Sequence, residues 1–338
     1  MYEEIYGEMP LIDRVEVKDP QWFNREYVHR ARPAVITGVV DKWPAMSRWD
    51  FDYFREGFGD SEIKGNRQDS SQTLIQGEMG EFRTYRFAEL LEKIQNPEPG
   101  AAYYLRACPV AGLPWLWGDC PKIDAIPNWL DLRFDAESVS LRELGPLQRM
   151  AAALTRRIVR TTVLEKDSRE YVISKFLEEV IFIGGPGIVT PLHTDGMYTG
   201  AYLAQLRGRK HCLLIPPEQS DLVYPRPFRK QFGMSTLDFR KPDHERFPRY
   251  REVKPLQCTI DAGDLLYIPH GWWHGVTLLD VSISYSHQIM NEANAVDWLL
   301  CVPERVAAEM YYSASGGVLN TTGAVIRIQK PEQAKATR

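Results

Sequence analysis

Three features that would assign a protein class at once are absent from this chain: a long apolar run, paired cysteines and a surplus of basic charge. No stretch approaches the roughly 18 apolar residues of a membrane span, and the acidic start MYEEIYGEMPLIDRVEV contains no apolar signal-peptide segment. We therefore expect a cytoplasmic protein without a membrane partner. Basic residues number 41 against 45 acidic ones, a net charge of −4. This balance indicates no nucleic-acid partner, because it provides no overall positive field.

The cysteines are few, odd in number and scattered. There are five, and no two of them form a Cys-x-x-Cys pair. This spacing argues against a disulfide framework and against a structural zinc site. It favours separate thiols in a reducing compartment.

The second half of the chain has the texture of a β protein. From Tyr171 onward, turn signals separate short β-rich segments, namely FLEEVIFIG, IVTPLHTD, AYLAQLRG, RKHCLLIP, LQCTIDAG, DLLYIPHG, WWHGVTL and DVSISYSH. Many short strands at this spacing are typical of a β-sandwich or barrel. One polar insertion, Glu218 to Lys254, interrupts the series and holds nine basic and six acidic residues. Four of its arginines, Arg226, Arg229, Arg240 and Arg249, are candidates for gripping an acidic substrate or a peptide backbone, and a solvated loop is the alternative.

Helical patterns lie on both sides of this β-rich region. In the N-terminal part, helices are predicted over 20–31, 50–58 and 87–94, with strands between them. After Met290, NEANAVDWLL and PERVAAEMYY predict two helices, the second with Pro303 in its first turn.

The most informative local pattern is His193-Thr194-Asp195. Side chains two apart on a strand project from the same face, so an imidazole and a carboxylate can reach one metal ion. His274, which opens a strand after the turn IPHG, is the candidate third ligand. Two histidines and one carboxylate leave three octahedral positions open, as in non-haem Fe(II) oxygenases. His270 in the turn is the competing ligand, in a looser position.

Several motifs surround this pattern in a fixed order: RPAVITG and YYLR upstream, then TPLHTD, AQLRGRKHCLLIPPEQ, DHERFPRY and GDLLYIPHGWWH. Together they resemble the JmjC/cupin-like Fe(II)- and 2-oxoglutarate-dependent oxygenases, and within these the group of the asparaginyl hydroxylase that modifies hypoxia-inducible factor. The resemblance implies a mainly β fold, a double-stranded β-helix (jelly-roll or cupin barrel) with N-terminal α/β decoration and C-terminal helices. It also implies Fe(II), 2-oxoglutarate as co-substrate, and O2.

The resemblance assigns roles residue by residue. His193, Asp195 and His274 match the iron ligands, and Lys210 matches the lysine that pairs with the distal carboxylate of 2-oxoglutarate. Two further matches are Thr190, a hydroxyl donor to that carboxylate, and Tyr104, which also reaches the cofactor.

Two of the assigned positions, those of Tyr104 and Ser286, depend on how their strands align with the family pattern. Tyr103 faces the other way on its strand, so a one-residue misalignment would exchange it with Tyr104. In SISYSHQ, Ser286 stands where the family often has a cofactor-contacting asparagine.

Because the predicted ligands come from distant strands, we expect one catalytic domain over 1–290 rather than two domains. Its core barrel is predicted at about 171–290 and its decoration at 1–170. The remaining 291–338 is predicted as a helical extension, and its apolar face favours a homodimer.

The expected function is hydroxylation of a C–H bond in a peptide or protein side chain. Alternatives are hydroxylation of a free or carrier-bound amino acid or other small molecule, lysine demethylation, and a non-catalytic metal-binding cupin.

Overall fold

The computed structural model describes residues 1–69, 81–109, 118–128, 145–147, 150, 164–166, 170–172, 179–226 and 233–314. The helices are α1 (Glu3–Tyr6), α2 (Pro20–Phe23), α3 (Ala45–Arg48), α4 (Phe51–Phe58), α5 (Phe87–Gln95) and α6 (Ala295–Ala314). The strands are β1 (Asp13–Glu16), β2 (Ala34–Thr37), β3 (Glu62–Asp69), β4 (Glu81–Arg86), β5 (Ala101–Pro109), β6 (Leu164–Lys166), β7 (Glu170–Val172), β8 (Glu179–Gly184), β9 (Val189–His193), β10 (Gly200–Arg207), β11 (Lys210–Ile215), β12 (Leu256–Ile260), β13 (Leu265–Ile268), β14 (Trp273–Leu278) and β15 (Ser282–Ile289).

Two sheets pack face to face and form the barrel. The large sheet has nine strands in the order β1-β2-β13-β10-β15-β8-β5-β3-β4, and the small sheet has four in the order β12-β11-β14-β9. Strands β1 to β5, from the first third of the chain, extend the large sheet on both edges. Neighbouring strands in both sheets are often distant in sequence, as in an antiparallel jelly-roll barrel. The predicted mainly β jelly-roll fold is therefore confirmed.

Three buried clusters follow from the alternation of side chains along the strands. One lies between the sheets and includes Tyr104, Leu203 and Leu214. A second packs the N-terminal helices against the outer face of the large sheet. The third covers the outer face of the small sheet with Phe239 and Tyr250 from the insertion.

Local signals were reliable where a side chain caps a helix. Asp50 accepts a hydrogen bond from the backbone N–H of Tyr53 at 2.7 Å, so α4 begins where its cap predicts. The first predicted helix is shorter than expected, since α2 ends at Phe23 and continues as one π-helical stretch, Asn24–Val28.

The expectation of two helices after Met290 is wrong. A single helix, α6, runs from Ala295 to Ala314 with Pro303 inside it. Proline has a helical φ and loses one backbone hydrogen bond, so it can stay within a helix that neighbouring turns support. Tail residues 315–338 lie outside the described part.

All five cysteines are buried, and none of them forms a disulfide bond. In the described part of the chain, no helix has the length and apolar character needed to cross a membrane.

The described part of the insertion continues the small sheet beyond β9. Thr194 donates its backbone N–H to the carbonyl of Gly233 at 2.7 Å, and Ser235 donates to Leu192 at 2.9 Å. The insertion therefore lies directly beside the strand that carries His193.

Candidate metal centre

His193 and His274 lie directly opposite each other on the antiparallel pair β9 and β14. Their ring centroids are 4.1 Å apart. The register shifts by one residue between His274 and Val276, which pairs with Thr190. This β-bulge turns both Thr190 and His193 to the interior although they are three positions apart, where strict alternation would turn one of them outward.

The residues of the bulge suit it. Pro191 has no backbone N–H to offer a ladder, and proline is tolerated at such an irregularity. Opposite it, Gly275 has Phe239 packed so closely that a Cβ would lie 2.7 Å from the phenyl Cε1. Any larger residue at 275 would push Phe239 away from the strand that carries His274.

Asp195 completes the cluster from just beyond the end of β9. One ligand atom from each of His193, Asp195 and His274 lies within 4.8 Å of the other two. Asp195 is extended in conformation and precedes a short 3-10 turn, Gly196–Tyr198. The predicted ligands are therefore brought together, with the carboxylate in a loop rather than on the strand.

Both histidines are held by the same type of backbone contact. Nδ1 of His193 lies 2.8 Å from the carbonyl oxygen of Pro191, and Nδ1 of His274 lies 3.2 Å from that of Trp272. A carbonyl can only accept, so Nδ1 carries the proton and Nε2 the lone pair. This is the arrangement in which a histidine ligates a metal through Nε2 while its other nitrogen fixes the ring.

Burial dominates the electrostatics of the cluster. Desolvation holds the pKa of His193 well below its usual value, with further lowering by the charges of His274 and Arg106. Desolvation also raises the pKa of Asp195, partly offset by His274. Two imidazoles and one carboxylate form the 2-His-1-carboxylate donor set that suits a divalent non-haem iron, so the residues fit the ion that the resemblance implies.

Lys210 is a buried cation on β11, and its side chain faces the space between the sheets. The residue is 1% exposed, and its Nζ lies 5.3 Å from the ring centroid of Phe182. Within the described residues it forms no hydrogen bond or ion pair, and desolvation lowers its pKa to about 7. A buried ammonium without a counter-charge is costly, so this position fits an anionic ligand.

Tyr104 and Thr190 lie beside this lysine. Their side chains are hydrogen-bonded to each other, and burial raises the pKa of Tyr104 to about 12. The Tyr104 ring stacks on Phe182 at 5.9 Å. Tyr103 faces the opposite side of β5, where its ring contacts Lys93. The tyrosine that faces the barrel interior is therefore Tyr104.

Two further polar residues belong to the same interior: Ser282, which strand parity predicts to face inward, and Asn66, which sequence reasoning missed. Asn66 pairs with Tyr104, which pairs with Gly184, which pairs with Ser282, so these residues form one row across four strands. Neither amide atom of Asn66 nor the Ser282 hydroxyl has a hydrogen-bond partner among the described residues. Unpaired buried polar groups cost about 1–3 kcal/mol each, which is a further sign of a polar ligand in this space. Asn66 and Gln68 are two positions apart, so on a strand they share one face, and this spacing could have indicated a polar face. Strand β3 was not predicted from the sequence, so the signal was not used.

Ser286 is on the inner face, opposite Leu203. Its hydroxyl donates to the carbonyl oxygen of Tyr202 at 2.8 Å. Its oxygen is thus the atom left to accept a hydrogen bond from a ligand, and a cofactor contact by Ser286 remains a prediction.

The other histidines are separate from the cluster. His270 packs against Tyr198, with ring centroids 5.7 Å apart. His211 points to the outer face, where its Nε2 lies 3.0 Å from Oε1 of Gln257.

The arginines of the insertion are not equivalent. Arg240 is tied to the buried carboxylate of Asp238 at 2.7 Å, and Arg249 is exposed. Arg229 lies outside the described residues. Arg226 is partly buried next to Met234, to whose carbonyl it donates its backbone N–H at 2.9 Å.

Similarity to known proteins extends over most of the chain. The family model described as "Cupin-like domain" matches residues 20–293. Lysine-specific demethylase 8 of Xenopus tropicalis is 24% identical over 281 residues, which is 81% of this chain and 52% of that protein. Arginine-specific demethylase JMJ20 of Arabidopsis thaliana is 32% identical over 308 residues, 85% of this chain and 59% of that protein.

A shorter match has higher identity. JmjC domain-containing protein D of Dictyostelium discoideum is 38% identical over 104 residues, 30% of this chain and 23% of that protein. The chain thus spans less than two thirds of the length of each of these relatives.

Proposed function

The chain belongs to the family of cupin-like domains, with JmjC-type relatives, and on that premise we propose that it is an Fe(II)- and 2-oxoglutarate-dependent oxygenase. Its proposed reaction is hydroxylation of a C–H bond in a peptide or protein side chain. The observation that carries the proposal is the convergence of His193, Asp195 and His274 within 4.8 Å. Lys210, a cation with no counter-charge among the described residues, lies in the same barrel interior.

The described residues fall into two groups, one that would hold the metal and one that would hold the co-substrate. When bound, Fe(II) and 2-oxoglutarate supply the oxidation, in which O2 is consumed, 2-oxoglutarate becomes succinate and CO2, and one oxygen atom enters the substrate C–H bond. His193, Asp195 and His274 would hold the metal through two nitrogens and one carboxylate oxygen, leaving the remaining positions for the reactants. The backbone contacts to Nδ1 keep both rings in the ligating orientation.

The second group of residues would hold the co-substrate. Lys210 supplies the positive charge for the distal carboxylate, and Thr190 and Tyr104 supply hydroxyl groups next to it. The apolar walls around them, from Phe182, Leu203 and other residues between the sheets, exclude water and so strengthen the ion pair.

The insertion supports a peptide or protein substrate. Its described part pairs with β9 beside His193 and so adds a surface next to the ligand cluster. A free amino acid would need no such surface, although the same pocket would admit one.

Demethylation is the second candidate, since two of the relatives named above are a lysine-specific and an arginine-specific demethylase. The methylated side chains that such names indicate are cationic. The peptide-library experiment described next distinguishes demethylation from hydroxylation.

Anaerobic titration with Fe(II) and 2-oxoglutarate tests the common part of the proposal. A visible metal-to-ligand charge-transfer band and, after admission of O2, succinate formation are the expected results. Absence of both would favour the inert metal-binding module. Mass spectrometry of a peptide library then separates the two reactions, because hydroxylation adds one oxygen atom to a peptide, whereas demethylation removes a methyl group and releases formaldehyde.

A further inference from the structure

One row of residues links the ligand cluster to the insertion. His274 pairs with His193 on β9, and His193 in turn forms an antiparallel bridge with Met234. The next bridge joins Pro225 to Ser235, which sets Arg226 opposite Met234. The hydrogen bond from the Arg226 N–H to the Met234 carbonyl, 2.9 Å long, agrees with this register.

Directly opposed residues of antiparallel strands project from the same face of the sheet. Arg226 therefore shares its face with His193 and His274, and that face is the barrel interior. Adjacent strands lie about 4.8 Å apart, so the backbone of Arg226 is roughly 10 Å from that of His193. The row thus ends in a cation at the rim of the metal cluster.

The guanidinium of Arg226 is partly buried, and within the described part of the chain it forms no hydrogen bond or ion pair. Arg240, in the same insertion, shows the contrast, because its guanidinium is satisfied by two contacts to Asp238 at 2.7 and 3.0 Å. A guanidinium has five N–H donors and does not lose its charge, so Arg226 retains the capacity to bind a carboxylate.

A second positive charge comes from the facing wall. Ala102 pairs with Gln68, whose side chain hydrogen-bonds to Val189, and Tyr104 hydrogen-bonds to Thr190. Arg106, two positions after Tyr104 on the same strand, is therefore on the wall that faces β9, and it is close enough to His193 for its charge to lower the pKa of that imidazole.

We propose that Arg226 binds a carboxylate group of the substrate beside the metal cluster, with Arg106 adding positive charge from the opposite wall. The proposal rests on the proposed oxygenase function and names its substrate class: a segment or molecule that carries an acidic group near the oxidised carbon. A planar guanidinium and a carboxylate form two parallel charge-assisted hydrogen bonds, which selects against amides and against cationic side chains.

The test is equilibrium binding without turnover. The protein is loaded with Mn(II) and saturating 2-oxoglutarate in the absence of O2. Fluorescence anisotropy then measures the affinity of three labelled hexapeptide libraries, each degenerate except for a central Glu, Gln or Lys. We expect the Glu library to bind about tenfold or more tightly than the Gln library, as charge-assisted hydrogen bonds predict, and the Lys library to bind most weakly.

Variants then assign the preference to Arg226. Arg226→Gln should abolish the difference between the Glu and Gln libraries, Arg226→Lys should keep part of it, and Arg226→Glu should reverse it in favour of Lys. The matched control is Arg249→Glu, an exposed arginine of the same insertion outside the row, which should keep the wild-type order. Free glutamate and the unlabelled Glu library are then compared as competitors of the labelled Glu library. The stronger competitor shows whether the bound carboxylate belongs to a free amino acid or to a peptide.

Two results would overturn the proposal. One is a wild-type protein that binds the Glu and Gln libraries equally, and the other is an Arg226→Glu variant that keeps the wild-type preference. Binding of Mn(II) and 2-oxoglutarate by the wild type is recorded in the same experiment. A protein that binds both yet ignores peptide charge contradicts the acidic-substrate proposal alone, whereas one that binds neither contradicts the proposed function.

Discussion

The side chain of Gln68 hydrogen-bonds to both backbone groups of Val189. Its Nε2 donates to the Val189 carbonyl oxygen at 2.8 Å, and its Oε1 accepts from the Val189 N–H at 2.9 Å. Gln68 belongs to β3 of the large sheet, and Val189 begins β9 at the end of the small sheet. The amide thus replaces a neighbouring strand and joins the two sheets beside the strand that carries His193.

We expect Gln68→Leu to destabilise the protein by about 2–4 kcal/mol, because two buried backbone groups lose their partners. Metal affinity should fall as well, since β9 is no longer held at its start. Urea unfolding of the metal-free protein and Mn(II) titration followed by electron paramagnetic resonance measure the two effects. Gln95→Leu is the control, because Gln95 is exposed on α5, and it should change stability by less than about 0.5 kcal/mol. A Gln68→Leu variant with wild-type stability would contradict the role.

Removal of any one ligand should abolish metal binding and leave the fold intact. His193→Ala, Asp195→Ala and His274→Ala each leave two donors, too few to retain iron in competition with water. Mn(II) titration and 2-oxoglutarate turnover should both fall to background, while far-ultraviolet circular dichroism stays unchanged. His270→Ala should retain metal binding, because His270 lies outside the cluster. Loss of binding in His270→Ala, or turnover in His193→Ala, would refute the assignment.

Binding of 2-oxoglutarate should weaken as the pH rises above about 7. Burial lowers the pKa of Lys210 to about 7 in the free protein, and a bound carboxylate favours the charged form and raises this pKa again. Above about pH 7 the ligand therefore binds together with one proton, and its affinity falls by up to about tenfold per pH unit.

Calorimetry of the Mn(II)-loaded protein in buffers of different ionisation enthalpy measures this proton uptake. Lys210→Arg should bind without it, because arginine stays charged at every working pH. Lys210→Met should bind weakly at all pH values. A wild-type affinity that is constant from about pH 6 to about pH 9 would contradict the pairing of Lys210 with the ligand.

A methyl group at position 184 should disturb the co-substrate site. A Cβ on Gly184 would lie 2.6 Å from Cδ2 of Tyr104 and 2.7 Å from Cδ2 of Leu278. Gly184→Ala should therefore displace the tyrosine, cost about 1–3 kcal/mol through overpacking, and raise the KM for 2-oxoglutarate. Gly57→Ala on α4, where nothing lies within 4 Å of the new Cβ, should instead raise stability by about 0.5–1 kcal/mol. Equal effects of the two substitutions on thermal unfolding would show that packing at 184 is not the cause.

Patterns a few residues long predicted much of this protein. The alternating segments indicated the β-rich barrel, Asp50 marked the start of α4, and His193-Thr194-Asp195 with His274 indicated the ligand cluster. Short patterns carry this information because strand alternation, helix capping and ligand spacing depend on near neighbours in the chain.

Predictions that depended on competition between distant parts of the chain were less successful. Pro303 was expected to start a new helix, but it lies within α6. The pattern in which Asp195 follows His193 on one strand was also too simple, since β9 ends at His193 and a loop carries the carboxylate. Proline does favour the first turn of a helix, and alternating residues do share a face of a strand. In both cases, however, packing around the segment determined the conformation that it adopts.

Strand spacing and residue types along the chain were enough to predict the barrel and to bring forward the three candidate ligand residues. The pairing of strands determined the rest: the bulge that turns His193 inward, the choice of Tyr104 over Tyr103, the hold of Gln68 on Val189, and the row that ends at Arg226. These contacts join residues that are distant in sequence, some of them more than a hundred positions apart. No local propensity specifies such contacts, because the register between sheets forms only when the whole barrel closes.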